Sequence, residues 1–222
     1  MWSRITRLIG QDGLEKLIGK SVLIVGIGGV GGYVAEMLAR CGIGRVGIMD
    51  FDVVDISNIN RQIIALNSNI GECKTDVMKA RILDINPDCE VVAINSRFNA
   101  DSATVLDGGW NYVVDAIDSF EDKVALICLA KERGLNIVSA MGAGNRIKPC
   151  TFEITDIYKT SYDALAKKLR KTLREKGITK LDVCYTKEPV VSVSQGVGSI
   201  SYVVAECGIK TAGFVIDRLL SQ

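Results

Sequence analysis

An apolar strand that ends in glycines and passes straight into a helical pattern constrains this chain more than anything else in it. Residues 21–52 read SVLIVGIGGVGGYVAEMLARCGIGRVGIMDFD. SVLIVG has the continuous apolar character of a strand buried on both faces, VGGYVAEMLARCG the pattern of a helix, and RVGIMD that of a second strand. A strand–turn–helix–strand unit of this kind begins a doubly wound α/β sheet. Its turn is Gly26, Ile27, Gly28, Gly29, Val30, Gly31. Gly26 permits a tight exit from the strand, Gly28 and Gly29 let main chain approach a phosphate, and Gly31 lets the helix pack close to the sheet. Main-chain N–H groups at the helix N-terminus then face an anion. Asp50, with Asp52 just beyond, ends the second strand, where a carboxylate fits ribose hydroxyls. The turn is therefore a nucleotide site.

The remaining pattern extends the same architecture. Residues 3–19 form a helical preface. KTDVMKARILDINP is an amphipathic helix stopped by Pro87, EVVAIN a third strand, DSATVLDGG a short helix or turn, and YVVDAID a fourth strand. FEDKVALICLAKERG is a helix closed by Gly134, and NIVSA a fifth strand. Beyond MGAGNRIKP the pattern changes to a strand (TFEITDI), a basic helix (SYDALAKKLRKTLREKG), a strand (LDVCYT) and an apolar C-terminal helix. The expectation is a single Rossmann-like domain over residues 1–222 with a mostly parallel sheet. Its parts are a preface (1–19), a nucleotide-binding core (20–145) and a C-terminal α/β extension on the substrate side (146–222).

Composition narrows the chemistry. The chain has 222 residues and no His, which excludes His-based triads and acid–base relays. Its 27 Lys and Arg against 26 Asp and Glu leave no global field to mark a nucleic-acid or membrane binder, so such contacts must come from a local patch. The seven cysteines (Cys41, Cys73, Cys89, Cys128, Cys150, Cys184, Cys207) form no CxxC pair and read as free thiols of a cytoplasmic protein. The N-terminus has no run apolar enough for a signal peptide. Glu206, Lys210 and Asp217 interrupt the C-terminal apolar stretch, which reads as a buried helix rather than a membrane span.

NAD enzymes share the glycine turn, so the choice between redox chemistry and phosphoanhydride cleavage rests on residues further on. Cleavage of a triphosphate needs cations and Mg²⁺ at its oxygens. SNINRQ supplies Asn58, Arg61 and Gln62, GECKTD supplies Lys74, and VVDAIDS supplies Asp118. Arg61 offers a rigid fork, Lys74 a point charge. Asp118 lies past the carboxyl end of a strand, where one carboxylate with phosphate oxygens holds Mg²⁺. Singly, each of these is as readily a surface ion pair or a loop cap; together they favour ATP.

GIGGVGG, IMDFDVVDISNINRQI, IGECK, DINP and VVDAIDS resemble the MoeB/ThiF superfamily, the fold of ubiquitin-activating enzymes, over most of the chain. Its members adenylate a carboxylate with ATP and Mg²⁺. The resemblance implies Asp50 on the ribose, Asn58, Arg61 and Lys74 on the phosphates, and Asp118 on Mg²⁺. It also implies a homodimer in which Arg4, in SRITRLIG, reaches the partner's ATP. Members that activate a ubiquitin-like sulfur carrier usually hold zinc with two CxxC pairs, which this chain lacks, so no structural zinc is expected. Residues 141–178 instead resemble the tRNA threonylcarbamoyladenosine dehydratases, with Asp163-Ala164 where relatives often carry Cys-Pro.

The basic helix fits a tRNA substrate. Leu165, Leu169 and Leu173 recur every four residues and bury one face, leaving Lys167, Lys168, Arg170, Lys171 and Arg174 mostly elsewhere. Such a face tracks phosphates, though a charge run is commonly only a solvated surface. Cys184 falls near a charged loop, though packing within a buried strand fits it as well, and it is assigned no role. The leading expectation is an ATP-dependent dehydratase that cyclises threonylcarbamoyladenosine in tRNA through an acyl-adenylate, with a sulfur-relay protein as a further partner. The alternatives are an adenylyltransferase for a ubiquitin-like carrier and a non-catalytic NAD(P)-binding module.

Overall fold

The computed structural model describes residues 1–149 and 151–222, so Cys150 lies outside the described residues. A seven-stranded sheet runs in the order β3-β2-β1-β4-β5-β7-β6. β1 (Ser21–Val25), β2 (Arg45–Asp50), β3 (Glu90–Asn95), β4 (Tyr112–Asp115) and β5 (Ile137–Ala140) are parallel, as is β7 (Asp182–Tyr185) beside β5. β6 (Glu153–Asp156) closes that edge antiparallel to β7. Because both strands of residues 146–222 continue the same sheet, that segment is woven into the core rather than laid on it.

β1 shows why the apolar run reads as a central strand. Val22 and Ile24 join the core on one face, with Leu38 of α2 (Gly31–Arg40) and Met78 and Ile82 of α3 (Lys74–Ile85). Leu23 and Val25 join the core on the other, with Leu126 and Ile127 of α4 (Phe120–Glu132) and Leu169 and Leu173 of α5 (Ala164–Glu175). Each such side chain contributes about 1.5–3 kcal/mol on burial. The final helix, α6 (Ser201–Ser221), packs along α2, where a Cβ added at Gly208 would stand 2.7 Å from both the Tyr33 Cβ and the Val30 carbonyl oxygen.

One detail departs from the sequence reading. The preface helix, α1 (Ser3–Ile18), is broken at Gly10 (φ 76°, ψ 172°) rather than continuous. Its second half carries buried Leu14 and Leu17, and Lys16 Nζ donates to the Leu220 carbonyl of α6 at 2.7 Å. Cys184, for which the sequence left both a place beside a charged loop and buried strand packing open, is fully buried in β7, its sulfur 3.8 Å from that of Cys207. The six described cysteines are all free. No helix of the described residues is long and apolar enough to cross a membrane.

The strand order reverses between β1 and β4, which leaves a crevice at their carboxyl ends, the place where ligands bind in open α/β sheets.

Candidate active site

A cavity of about 730 Å³ opens at that crevice. The glycine turn forms one side. Gly26, at φ 94°, follows β1 and donates to the Met49 carbonyl at 2.8 Å. A Cβ at Gly31 would land on the Gly26 carbonyl oxygen, so only glycine brings α2 this near. A Cβ at Gly28 meets nothing nearer than Gln62 Nε2 at 3.8 Å, so that face is open. The main-chain N–H groups of Gly28, Gly29 and Val30 have no acceptor among the described residues, and all three residues line the cavity. Unpaired donors at the N-terminus of a helix make an anion site.

The structure brings Asp50, Asp52, Asn58, Arg61, Gln62, Lys74 and Asp118 to the same cavity. Much of their charge is already matched. Asp50 accepts from the main-chain N–H groups of Ile27 at 2.6 Å and Asp52 at 2.9 Å, fixing the turn against β2. Lys74, the first residue of α3 and only 4% exposed, has its ammonium 2.7 Å from the half-exposed Asp52 carboxylate. Asn58 is buried, and its Oδ1 accepts from the Asp55 N–H at 3.1 Å in a capping box, so that oxygen shapes the loop. Arg61 uses Nη1 on the Ser57 carbonyl (2.7 Å) and Asn60 Oδ1 (3.0 Å). Its Nε and Nη2 have no acceptor among the described residues. Among those residues Arg61 is in no ion pair, and neither is the exposed Asp118. Within this cavity they are a cation and an anion with charge to spare. Gln62 is 7% exposed, and its Oε1 is buried with no partner.

Several contributors escaped the sequence reading. Asp115 and Lys123 form a fully buried ion pair at 2.8 Å, and Lys123 also donates to Ser139 Oγ (3.3 Å) and the Ala140 carbonyl (3.1 Å). Ser139 Oγ donates to the same Asp115 oxygen, and Asp115 Oδ1 accepts from the Ile117 N–H at 3.1 Å. This network joins β4, α4 and β5 and sets the loop that carries Asp118. Arg97 and Asp122 pair at 2.7 Å in the cavity lining, with the Arg97 guanidinium 5.7 Å above the Phe51 ring. The Asp122 hydrogen bond, with Asp118 adding to it, pushes Arg97 still further above its ordinary pKa. Only an Asp or Lys on a predicted strand or helix interior signalled these groups, and that signal is weak.

Arg4 and the basic helix lie outside the cavity lining, as their expected roles require, and one cation of the helix departs from expectation. Arg4 is exposed on α1 and does not line the cavity of its own chain. On α5, Lys167, Lys168, Lys171 and Arg174 are exposed, but Arg170 is not a free surface cation: it is half-buried and donates to the carbonyls of Thr160 (2.9 Å) and Ile157 (3.4 Å) and to Thr160 Oγ1. Lys168 rests on the Phe120 ring at 3.7 Å, and Arg174 over the Tyr158 ring at 5.1 Å. Asp163 caps α5 through Oδ1 to the Ala166 N–H at 2.7 Å, which accounts for an acid there.

Asp118 suits Mg²⁺ of the kind that takes one carboxylate and completes its shell with phosphate oxygens and water. The described residues hold no group of three or more acidic, Cys or His side chains, as an all-protein metal cage would need.

Comparison with known proteins gives a consistent result. The model of the ThiF family matches residues 2–219. The chain is 42% identical over 198 residues to a Bacillus subtilis protein named tRNA threonylcarbamoyladenosine dehydratase, covering 88% of this chain and 78% of that one. Its fold superposes on the Escherichia coli tRNA N6-threonylcarbamoyladenosine dehydratase, TcdA, in complex with AMP, with a TM-score of 0.94 at 35% identity, covering 99% of this chain and 93% of that one. The same enzyme in complex with ATP matches with a TM-score of 0.93.

Proposed function

This chain belongs to the ThiF family, and on that premise we propose that it is an ATP-dependent dehydratase acting on threonylcarbamoyladenosine in tRNA. The observation that carries the reading is the meeting, in one cavity at the sheet's switch point, of a glycine turn with free N–H groups, two cations and an uncommitted carboxylate.

The chemistry follows from that arrangement. The threonyl carboxylate attacks the ATP α-phosphorus, the bond to the bridging oxygen breaks, and pyrophosphate leaves with the electron pair. A carbamoyl nitrogen or oxygen then closes the ring on the activated carbonyl and expels AMP. No strong protein base is required, in keeping with a chain that has no His. The chain must instead hold the two reactants in line and balance the departing charge. The N–H groups at Gly28 and Gly29 cradle phosphate, Asp50 and Gln62 meet the nucleoside side, and Arg61 and Lys74 meet phosphate oxygens, Lys74 by sharing its proton donors between Asp52 and the ligand. Asp118 would hold Mg²⁺, which when bound offsets phosphate charge. The exposed cations of α5 contact the tRNA backbone. A homodimer with Arg4 acting across it, a cytoplasmic site of action and a sulfur-relay partner belong to the same reading.

The test is mass analysis of modified tRNA incubated with the purified protein, ATP and Mg²⁺. Loss of one water from the modified adenosine supports the proposal. An unchanged nucleoside overturns it. Pyrophosphate exchange stimulated only by a ubiquitin-like carrier would assign the alternative acceptor.

A further inference from the structure

The residues assigned so far hold ATP, yet the reaction has a second reactant. At the carboxyl end of β5 the cavity is lined by Met141, Gly142, Ala143 and Gly144. Behind this wall lies Arg146, 4% exposed and not itself in the lining. Its Nη1 donates to the carbonyls of Gly142 (2.6 Å) and Gly144 (3.1 Å), and its Nε to the Glu188 carbonyl (3.0 Å). Its Nη2 stands 3.7 Å from Asp163 Oδ2.

The direction of one peptide group follows. The described chain has no cis peptide bonds, and in a trans peptide the carbonyl and the next N–H point opposite ways. The Gly142 carbonyl points back to Arg146, so the Ala143 N–H points away from it, and Ala143 lines the cavity. That N–H has no acceptor among the described residues, although Ala143 is buried. A main-chain donor in a cavity wall with no protein acceptor is free to meet a ligand oxygen. Gln62, in the same lining, separately presents a buried oxygen without a partner. Asp163 Oδ2 also lacks a hydrogen bond, so its interaction with Arg146 is electrostatic and leaves the guanidinium directed at the carbonyls.

We propose that Arg146 is a positioning residue for the acceptor: by holding the Gly142 and Gly144 carbonyls behind the wall, it turns the Ala143 N–H into the cavity to receive the carboxylate that attacks ATP. The inference rests on the function proposed above. One carboxylate oxygen accepts from Ala143 while the other forms the bond to phosphorus; no proton moves in that step. Asp163 lies at the start of α5, so the same guanidinium ties the acceptor wall to the helix whose exposed cations face the tRNA.

The test compares Arg146→Met and Arg146→Lys with the unaltered protein. Three readouts are taken: dehydration of modified tRNA, affinity for a non-hydrolysable ATP analogue, and thermal unfolding. Arg146→Met should lower kcat by roughly 10²-fold, the cost of a misplacement of about 1 Å, with analogue affinity within about twofold, as expected for loss of an interaction confined to the acceptor side. Arg146→Lys, which keeps a cation to draw the carbonyls, should recover much of that loss. An unchanged kcat in Arg146→Met overturns the proposal. So does a fall in analogue affinity that parallels kcat, which would mark a general structural role. If Arg146→Met does not fold, Asp163→Asn decides, because Asn keeps the helix cap: a kcat equal to that of the unaltered protein overturns the proposal, and a lowered kcat at unchanged analogue affinity supports it. Failure of the unaltered protein to dehydrate tRNA is a separate result, and it removes the function reading itself.

Discussion

In the proposed reaction Arg61 is the cation with charge to spare, because its cavity neighbour Lys74 is already paired with Asp52 at 2.7 Å while Arg61 has no carboxylate partner among the described residues. Arg61→Ala should lower ATP-dependent turnover by about 10²–10³-fold, the cost of one lost electrostatic donor, with thermal unfolding little changed because the side chain bonds only its own loop; steady-state kinetics beside calorimetry check this. What could be read in advance at this scale was local. The glycine turn announces itself because each glycine answers a steric demand within its own strand–helix junction. Asp118 announces itself by following a strand. The Asp115–Lys123 pair does not, because a lysine in an amphipathic helix looks like any solvated charge until the sheet on which it packs is known. Arg170 misleads for the converse reason. Its place on the helix says exposed, but the chain folds carbonyls over it.

At the scale of elements, helix α5 and the crossing of α6 on α2 carry separate predictions. The double substitution Lys167→Ala, Lys171→Ala should weaken tRNA binding and reduce the salt slope of log K by about one unit or slightly less per lost phosphate contact, while ATP-analogue affinity holds; binding measured over a salt series checks both. Gly208→Ala should destabilise the fold by about 1–3 kcal/mol, since the added methyl meets Tyr33 Cβ and the Val30 carbonyl at 2.7 Å. Urea unfolding measures it. The boundaries of two strands were readable: RVGIMD and EVVAIN match β2 and β3 residue for residue. Periodicity and stop signals suffice there because each is a local property. The break at Gly10 was not readable, since a lone glycine inside a helical pattern is commonly tolerated.

For the whole molecule, strand alternation foretold a mostly parallel sheet, and the structure has one, with β6 its antiparallel edge. The place of β7 between β5 and β6 was beyond reach, because it depends on which edge the returning chain meets, and no residue pattern encodes that. Assembly is likewise a matter for solution. If Arg4 completes a neighbouring copy's site, mixing Arg4→Ala with Lys74→Ala protein should restore turnover through mixed dimers, each holding one intact centre. Turnover no greater than the sum of the separate variants would rule out the shared centre. Helix α6 brings these scales together. Near its start Val204 lines the cavity and presses on Gly29, so that a Cβ there would meet it at 3.3 Å, and near its end the Leu220 carbonyl takes the Lys16 ammonium. One helix therefore underpins the glycine turn at one end and fastens the amino-terminal helix at the other. Occupancy by ATP, which favours the intact helix by mass action, should shield the half of α1 that follows Gly10 from protease cleavage, although no residue of that half is placed on the nucleotide.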